Sequence, residues 1–157
     1  IERSNERLVG GEPVADLRVR YKPLKGIVIS EAQIPLAIDE FPVLFIAAAC
    51  AEGDTLLHGA AELRVKESDR LDAMAQGLEK LGVTVETFDD GIKITGGPMA
   101  GATVDSFGDH RIAMAFTVAG LRAESPIDIA NCANVATSFP NFVELAIKVG
   151  MRVSAVK

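Results

Sequence analysis

The feature that most constrains this chain is a repetition. Asp39 stands 70 residues before Asp109, Ser68 stands 70 residues before Ser138, and the surroundings of each pair match. In both copies an acidic residue opens an apolar run, a short strand-like stretch follows (Thr55 to His58, then Ile127 to Ile129), and a serine precedes an amphipathic stretch. Self-similarity at a fixed period marks units that bury their apolar faces against one another. The apolar runs, Val43 to Ala51 and Ile112 to Leu121, carry no charge. A helix apolar on every side is a buried helix, whereas the helices flanking a doubly wound sheet lie outside and read as amphipathic. The expected fold is therefore α/β with packed repeats, one buried and one covering helix per copy, shielded by strand hairpins.

Residues 1 to 31 read as short strands broken by turns, with Gly10-Gly11 between Arg7 to Val9 and Ala15 to Arg20, then Ile27 to Ile29, and no helix. Asp39 is the expected cap of the first buried helix, with Pro42 in its first turn and Gly53 as its stop. Leu71, Met74, Ala75, Leu78 and Leu81 share one face of a second helix, capped by Ser68 and ended by Gly82. Val83 to Phe88 and Ile92 to Thr95 flank an Asp89-Asp90-Gly91 turn as a hairpin, and Ala102 to Asp105 forms a further strand. Ser138 is the expected cap of a last helix, Phe139 to Val149. These elements divide the chain into the tail of an incomplete unit (1–36), a complete unit (37–106) and a last unit (107–157). A start at Ile1, without Met and within strand-like sequence, suggests a piece of something longer.

With 157 residues, 48% of them hydrophobic and 24% charged, the chain suits one soluble domain. A net charge of −6 argues against a nucleic-acid partner, which favours a basic face. No apolar run reaches the roughly 18 residues of a membrane span. Cys50 and Cys132 show neither disulfide nor zinc spacing, so a reducing, cytoplasmic setting without a metal is expected.

If the copies are alike, their helix N-termini share one edge. That edge collects Asp39 and Glu40, Lys66, Glu67 and Arg70, and Asp109, His110 and Arg111. Within the run Arg64 to Leu71, Lys66, Arg70 and the carboxylate of Glu67 stand where unpaired backbone N–H groups and the helix dipole favour anions. Glu67 between them suits proton transfer, its acidity set by its neighbours. Arg111, a cation in a first helical turn, calls for an anionic partner. His110 reads as a supporting, hydrogen-bonded imidazole, and Asp39 and Asp109 can both cap and react.

Leu63 to Leu71 (LRVKESDRL), Gly108 to Met114 (GDHRIAM), Ala37 to Glu40 (AIDE) and Ala136 to Pro140 (ATSFP) together resemble the C-terminal part of the 5-enolpyruvylshikimate-3-phosphate synthases. The resemblance implies repeated βαβαββ units with buried helices and outward sheets, an inside-out barrel-like domain. It implies transfer of the enolpyruvyl group of phosphoenolpyruvate to the 5-hydroxyl of shikimate 3-phosphate, without cofactor or metal, in partnership with an N-terminal domain absent here. On it, Asp39 would contact the shikimate hydroxyls and accept a proton, and Glu67 would transfer the proton at C3. Lys66 would contact shikimate 3-phosphate, and Arg70 and Arg111 would grip phosphoenolpyruvate. Glu62 and Thr137 depart from an asparagine and a lysine found there in some members. The alternatives are the related transferase acting on a UDP-sugar and a non-catalytic interaction domain that keeps the fold. The piece alone is expected to be inactive.

Overall fold

A computed structural model describes residues 1–154; the end of the expected last unit, 155–157, lies outside the described residues. The strands are β1 (Glu2–Val9), β2 (Glu12–Arg18), β3 (Asp54–Leu57), β4 (Thr84–Phe88), β5 (Gly91–Thr95), β6 (Thr103–Asp105) and β7 (Asp128–Ala130). The helices are α1 (Ile34–Ala37), α2 (Phe41–Ala49), α3 (Arg70–Lys80), α4 (His110–Ala119), α5 (Val135–Ser138) and α6 (Phe142–Lys148).

β1 and β2 form an antiparallel hairpin exposed along nearly its whole length. β3, β5 and β4 form an antiparallel sheet in that order, and β6 pairs with β7 in parallel. The segment 24–29 runs parallel to β3, with the Ile29 amide on the Leu56 carbonyl and the Leu56 amide on the Ile27 carbonyl, both at 2.9 Å. Hydrogen bonding thus groups this segment with the unit that follows it, joined by α1 and α2, just as α4 joins β6 to β7. Both are parallel crossovers, which a helix normally spans.

The expected burial pattern holds for the sheet. Thr55, Leu57, Ile92 and Ile94 face inward and are buried, while Asp54, Lys93 and Glu86 alternate outward, where Lys93 pairs with Asp54 at 3.0 Å. Beneath the sheet, Phe41, Phe45 and Ile46 of α2, Leu71, Met74 and Leu78 of α3, and Ile112 and Phe116 of α4 form one core. α2, α3 and α4 lie inside and the three-stranded sheet outside, whereas α5 and α6 are largely exposed.

Several local expectations are corrected. α2 ends at Ala49, and Val43 and Leu44 are 37% and 40% exposed, because this chain covers the apolar helix on only part of its circumference. Asp39 does not cap it: Glu40 occupies the cap position without a side-chain bond, and the Asp39 carboxylate is drawn instead to arginine. Asp69, not Ser68, caps α3, accepting from the Asp72 amide at 3.0 Å, so that Arg70 is the first helical residue. α4 opens at His110 with Asp109 as its cap, as expected, but ends at Ala119 rather than Leu121. Ser138 lies inside the short α5, and α6 starts at Phe142 after Asn141. A 3-10 turn, Glu31–Gln33, and α1 fill the stretch between the strand-like residues and Asp39, to which the sequence pattern assigns no element.

α3 and α4 touch where Gly77 meets Phe116. A β-carbon on Gly77 would lie 2.1 Å from the Phe116 ring, which is itself fully buried. In an exposed helix Gly→Ala gains about 1 kcal/mol, but overpacking a closed core costs about 1–3 kcal/mol. The steric term wins here. Gly77→Ala is expected to lower the urea midpoint at unchanged m-value; a raised midpoint would show that α3 and α4 can part freely.

Candidate active site

The loop between β6 and α4 shows how sequence sets the site. The Asp105 carboxylate accepts from the Phe107 amide at 2.7 Å and from Asn131 Nδ2 at 2.9 Å. The chain then turns through Phe107 and Gly108, both with positive φ (52° and 74°). A non-glycine residue tolerates that region only where its surroundings enforce it. Ser106 is fully buried, its hydroxyl 3.0 Å from the Ala130 carbonyl and 2.9 Å from that of Asn131, which ties the turn to β7. The turn delivers Asp109 to the head of α4.

Asp109 is fully buried and meets three donors. Its Oδ1 accepts from the Arg111 amide at 2.8 Å, the N-cap bond, and its Oδ2 accepts from Arg70 Nε at 2.8 Å and from the Ser68 hydroxyl at 3.1 Å. Arg70 is also fully buried, which is rare for arginine, and every nitrogen of its guanidinium is used. Nη1 donates to Asp39 Oδ1 at 2.9 Å and Nη2 to Glu67 Oε2 at 2.5 Å. Asp39 and Glu67 are half exposed, so one arginine bridges a sealed carboxylate and two that face solvent.

Arg111 completes the edge. Its Nη1 donates to the Asp39 carbonyl at 2.8 Å and to Glu40 Oε1 at 3.0 Å, and its Nη2 stands 3.9 Å from Asp39 Oδ2. The anionic compensation that its position in the first turn demands thus comes from within the chain. Lys66 is ion-paired with Glu62. His110 opens α4 half-buried, and among the described residues its ring takes no part in these bonds. The structure thus gathers Asp39, Glu67, Arg70, Asp109, Arg111 and Glu40 tightly, sets Lys66 beside them, and leaves His110 at the margin.

The hydrogen bond from Arg70 holds the Asp39 carboxyl below its ordinary range, with Arg111 and Lys66 adding to the effect against some desolvation. Burial pushes the Asp109 carboxyl up, but Arg70, the Arg111 amide and the Ser68 hydroxyl outweigh it, so its pKa too lies below the usual value. Among the described residues no three His, Cys, Asp or Glu side chains converge as metal ligands would; the carboxylates here converge on a cation. A cavity of about 250 Å³ adjoins Glu67, lined by Ser68, Asp69, Asp72, Ala73 and Phe107. A larger one, about 460 Å³, lies away from this edge between α2 and the segment 24–29, with Lys25 its sole ionisable residue.

The fold is that of an enolpyruvyl transferase: NikO of Streptomyces tendae superposes over 94% of this chain at a TM-score of 0.63, with 23% identity. The EPSP synthase (3-phosphoshikimate 1-carboxyvinyltransferase) family model matches residues 2–145, and the chain belongs to that family. It is 67% identical over 152 residues to the 3-phosphoshikimate 1-carboxyvinyltransferase of Alkalilimnicola ehrlichii and 64% identical over 151 residues to that of Methylococcus capsulatus, covering 96% of this chain in each case. An EPSP synthase from Acinetobacter baumannii matches 99% of this chain at a TM-score of 0.95 and 52% identity. The chain spans about a third of the length of these relatives, 34% and 35% of the two enzymes and 37% of the solved chain.

Sequence pattern found the cluster's members but missed two roles. Ser68 reads as a cap and is a donor to Asp109; Asp109 reads as a cap and also anchors Arg70. The buried pair yields a stability prediction with a definite sign. The Asp109 carboxyl has a lower pKa folded than unfolded, where it titrates near 3.9, so the native state binds fewer protons around that pH. Its stabilisation is therefore complete above about pH 4 and is lost as pH falls through the folded value. Asp109→Asn keeps a capping side chain but strands Arg70, at a cost of about 3–5 kcal/mol near neutrality. Denaturation of both proteins from pH 7 to 3 should show the gap narrowing on acidification; a gap independent of pH would contradict the assignment.

Proposed function

We propose that, within a longer protein, this chain supplies part of the site that transfers the enolpyruvyl group of phosphoenolpyruvate to the 5-hydroxyl of shikimate 3-phosphate and releases phosphate. One observation carries the reading: a single buried arginine, Arg70, holds Asp39 and Glu67 on adjacent nitrogens, so two half-exposed carboxylates stand side by side at one edge. Family membership supplies the reaction class.

In the addition step the substrate hydroxyl attacks C2 of phosphoenolpyruvate while C3 gains a proton. In the elimination step C3 loses a proton as the C–O bond to phosphate breaks. Such chemistry needs a positioned base and a positioned acid, and the proton given at C3 must be taken back there. Asp39, kept ionised by Arg70 and Arg111, accepts the hydroxyl proton. Glu67 gives and recovers the proton at C3. Arg70 and Arg111 have planar forks that match carboxylate and phosphate, and Lys66 offers a point charge to the phosphate of shikimate 3-phosphate.

In the substrate-free chain these cations are already paired, Arg70 with three carboxylates, Arg111 with Glu40 and Asp39, and Lys66 with Glu62. An incoming anion must displace Glu67 or Asp39 from Arg70, which frees that carboxylate as substrate arrives. Two highly charged substrates also need more cations than this edge has to spare. The rest of the longer protein supplies them.

Calorimetric titration with shikimate 3-phosphate is expected to show binding by the longer parent and little by the 157-residue chain, which on its own turns over neither substrate. In the parent, Glu67→Gln should lower kcat by about 10²- to 10⁴-fold, the usual contribution of a positioned proton donor, without weakening phosphoenolpyruvate binding, since it removes a competitor for Arg70. Wild-type turnover by that variant would remove Glu67 from the mechanism. A parent with no transfer activity on these substrates would remove the reading itself.

A further inference from the structure

Residues 66–68 carry Lys66, Glu67 and Ser68, yet among the described residues none of their backbone groups hydrogen-bonds to a neighbouring element. They bridge the 3-10 turn Ala61–Val65 and α3 as an open span. Between its ends the span is held by side chains alone, Glu67 on Arg70 and Ser68 on Asp109, so the course of its backbone depends on how the two ends are fixed.

Arg64 holds both ends. Its Nη1 donates to Asp69 Oδ2 at 2.8 Å, and the other oxygen of that carboxylate caps α3. Its Nε donates to the Asp89 carbonyl at 2.8 Å and its Nη2 to the Phe88 carbonyl at 2.5 Å. One guanidinium thus fixes the residue just after the span and its own backbone just before it to the turn between β4 and β5. The same turn takes the upstream approach: the Ala60 amide donates to the Asp90 carbonyl at 2.7 Å, the Gly59 amide to Asp90 Oδ2 at 2.9 Å, and His58 Nδ1 lies 3.2 Å from Asp90 Oδ1. Arg64 makes no hydrogen bond to Asp39, Glu67, Arg70, Asp109 or Arg111. Its effect on them passes through the span and through Asp69, the cap of the helix that begins at Arg70. Lysine could not replace it, because one ammonium group cannot reach two consecutive carbonyls and a carboxylate in a fixed fork.

We propose that Arg64 is a positioning residue: by clamping both ends of residues 65–69 to the β4–β5 turn, it sets where Lys66 and Glu67 stand against Arg70. The catalytic consequence rests on the transfer reaction proposed above; the clamp does not. Two variants test it. Arg64→Gln deletes the clamp, and Asp69→Ser keeps a capping side chain on α3 while removing the arm that Arg64 grips.

In ¹⁵N relaxation of the 157-residue chain, the backbone order parameters at Lys66, Glu67 and Ser68 should fall from about 0.85 to below about 0.6 in both variants, with those of α3 and β5 unchanged. In the longer parent, Arg64→Gln should lower kcat about 10²-fold with the KM for phosphoenolpyruvate within about threefold, and Arg64→Lys should not restore it. Unchanged order parameters at residues 66–68 in Asp69→Ser overturn the clamp, and this variant decides the matter if Arg64→Gln fails to fold. A loosened span with kcat unchanged overturns the catalytic role. If the parent transfers no enolpyruvyl group at all, the proposed function fails while the relaxation result still decides the clamp.

Discussion

The structure depends on one buried cation. Taking a guanidinium out of water costs several kcal/mol, and the cost is offset only when each of its donors meets a well-placed acceptor. Arg70 meets that condition with carboxylates from three places: Asp39 before α2, Glu67 before α3 and Asp109 at the head of α4. Breaking any of these contacts leaves charge poorly compensated. The interaction therefore locks the starts of the three core helices to one another, which hydrophobic packing, being non-directional, would not do. A stability element and a candidate reaction centre coincide in the same side chain.

That coincidence has a chemical use. Asp109 is sealed and holds Arg70 from its Nε side, whereas Asp39 and Glu67 hold the two Nη atoms and face solvent. The closed side fixes the guanidinium plane, and on the open side the two half-exposed carboxylates stand between it and solvent. The carboxylates that satisfy Arg70 in the free chain are the ones to which the proposed reaction assigns proton transfer. An arginine left bare at this depth would destabilise the fold; an arginine held by carboxylates that can yield does not.

Much of this was legible in the amino-acid order. The 70-residue repeat and the uncharged runs implied buried helices, and buried helices implied that the strand hairpins cover them. The LRVKESDRL and GDHR motifs gave the members of the cluster. What failed did so for identifiable reasons. Asp39 and Ser68 have the side chains of helix caps, and local pattern assigns them that role, but each finds a stronger partner far along the chain, Asp39 in Arg70 and Ser68 in Asp109. Arg70 has the composition of a solvated rim residue, and no local signal says that it lies inside. α2 is apolar all round, yet α4 and the sheet cover only part of it, since amount of apolar surface and amount of cover are separate quantities.

By itself, the sequence determined period, helix and strand character and the residue types brought to one edge, because these follow from spacing of 3.6 and 2 residues and from local capping chemistry. Only the tertiary structure decided which carboxylate meets which nitrogen. Residues 31 to 41 positions apart, Asp39 and Arg70, Arg70 and Asp109, Ser68 and Asp109, become neighbours at hydrogen-bonding distance. Charge pairing at that range is set by where the packed helices put their ends, and in a desolvated site a few tenths of an ångström separate a satisfied arginine from a stranded one.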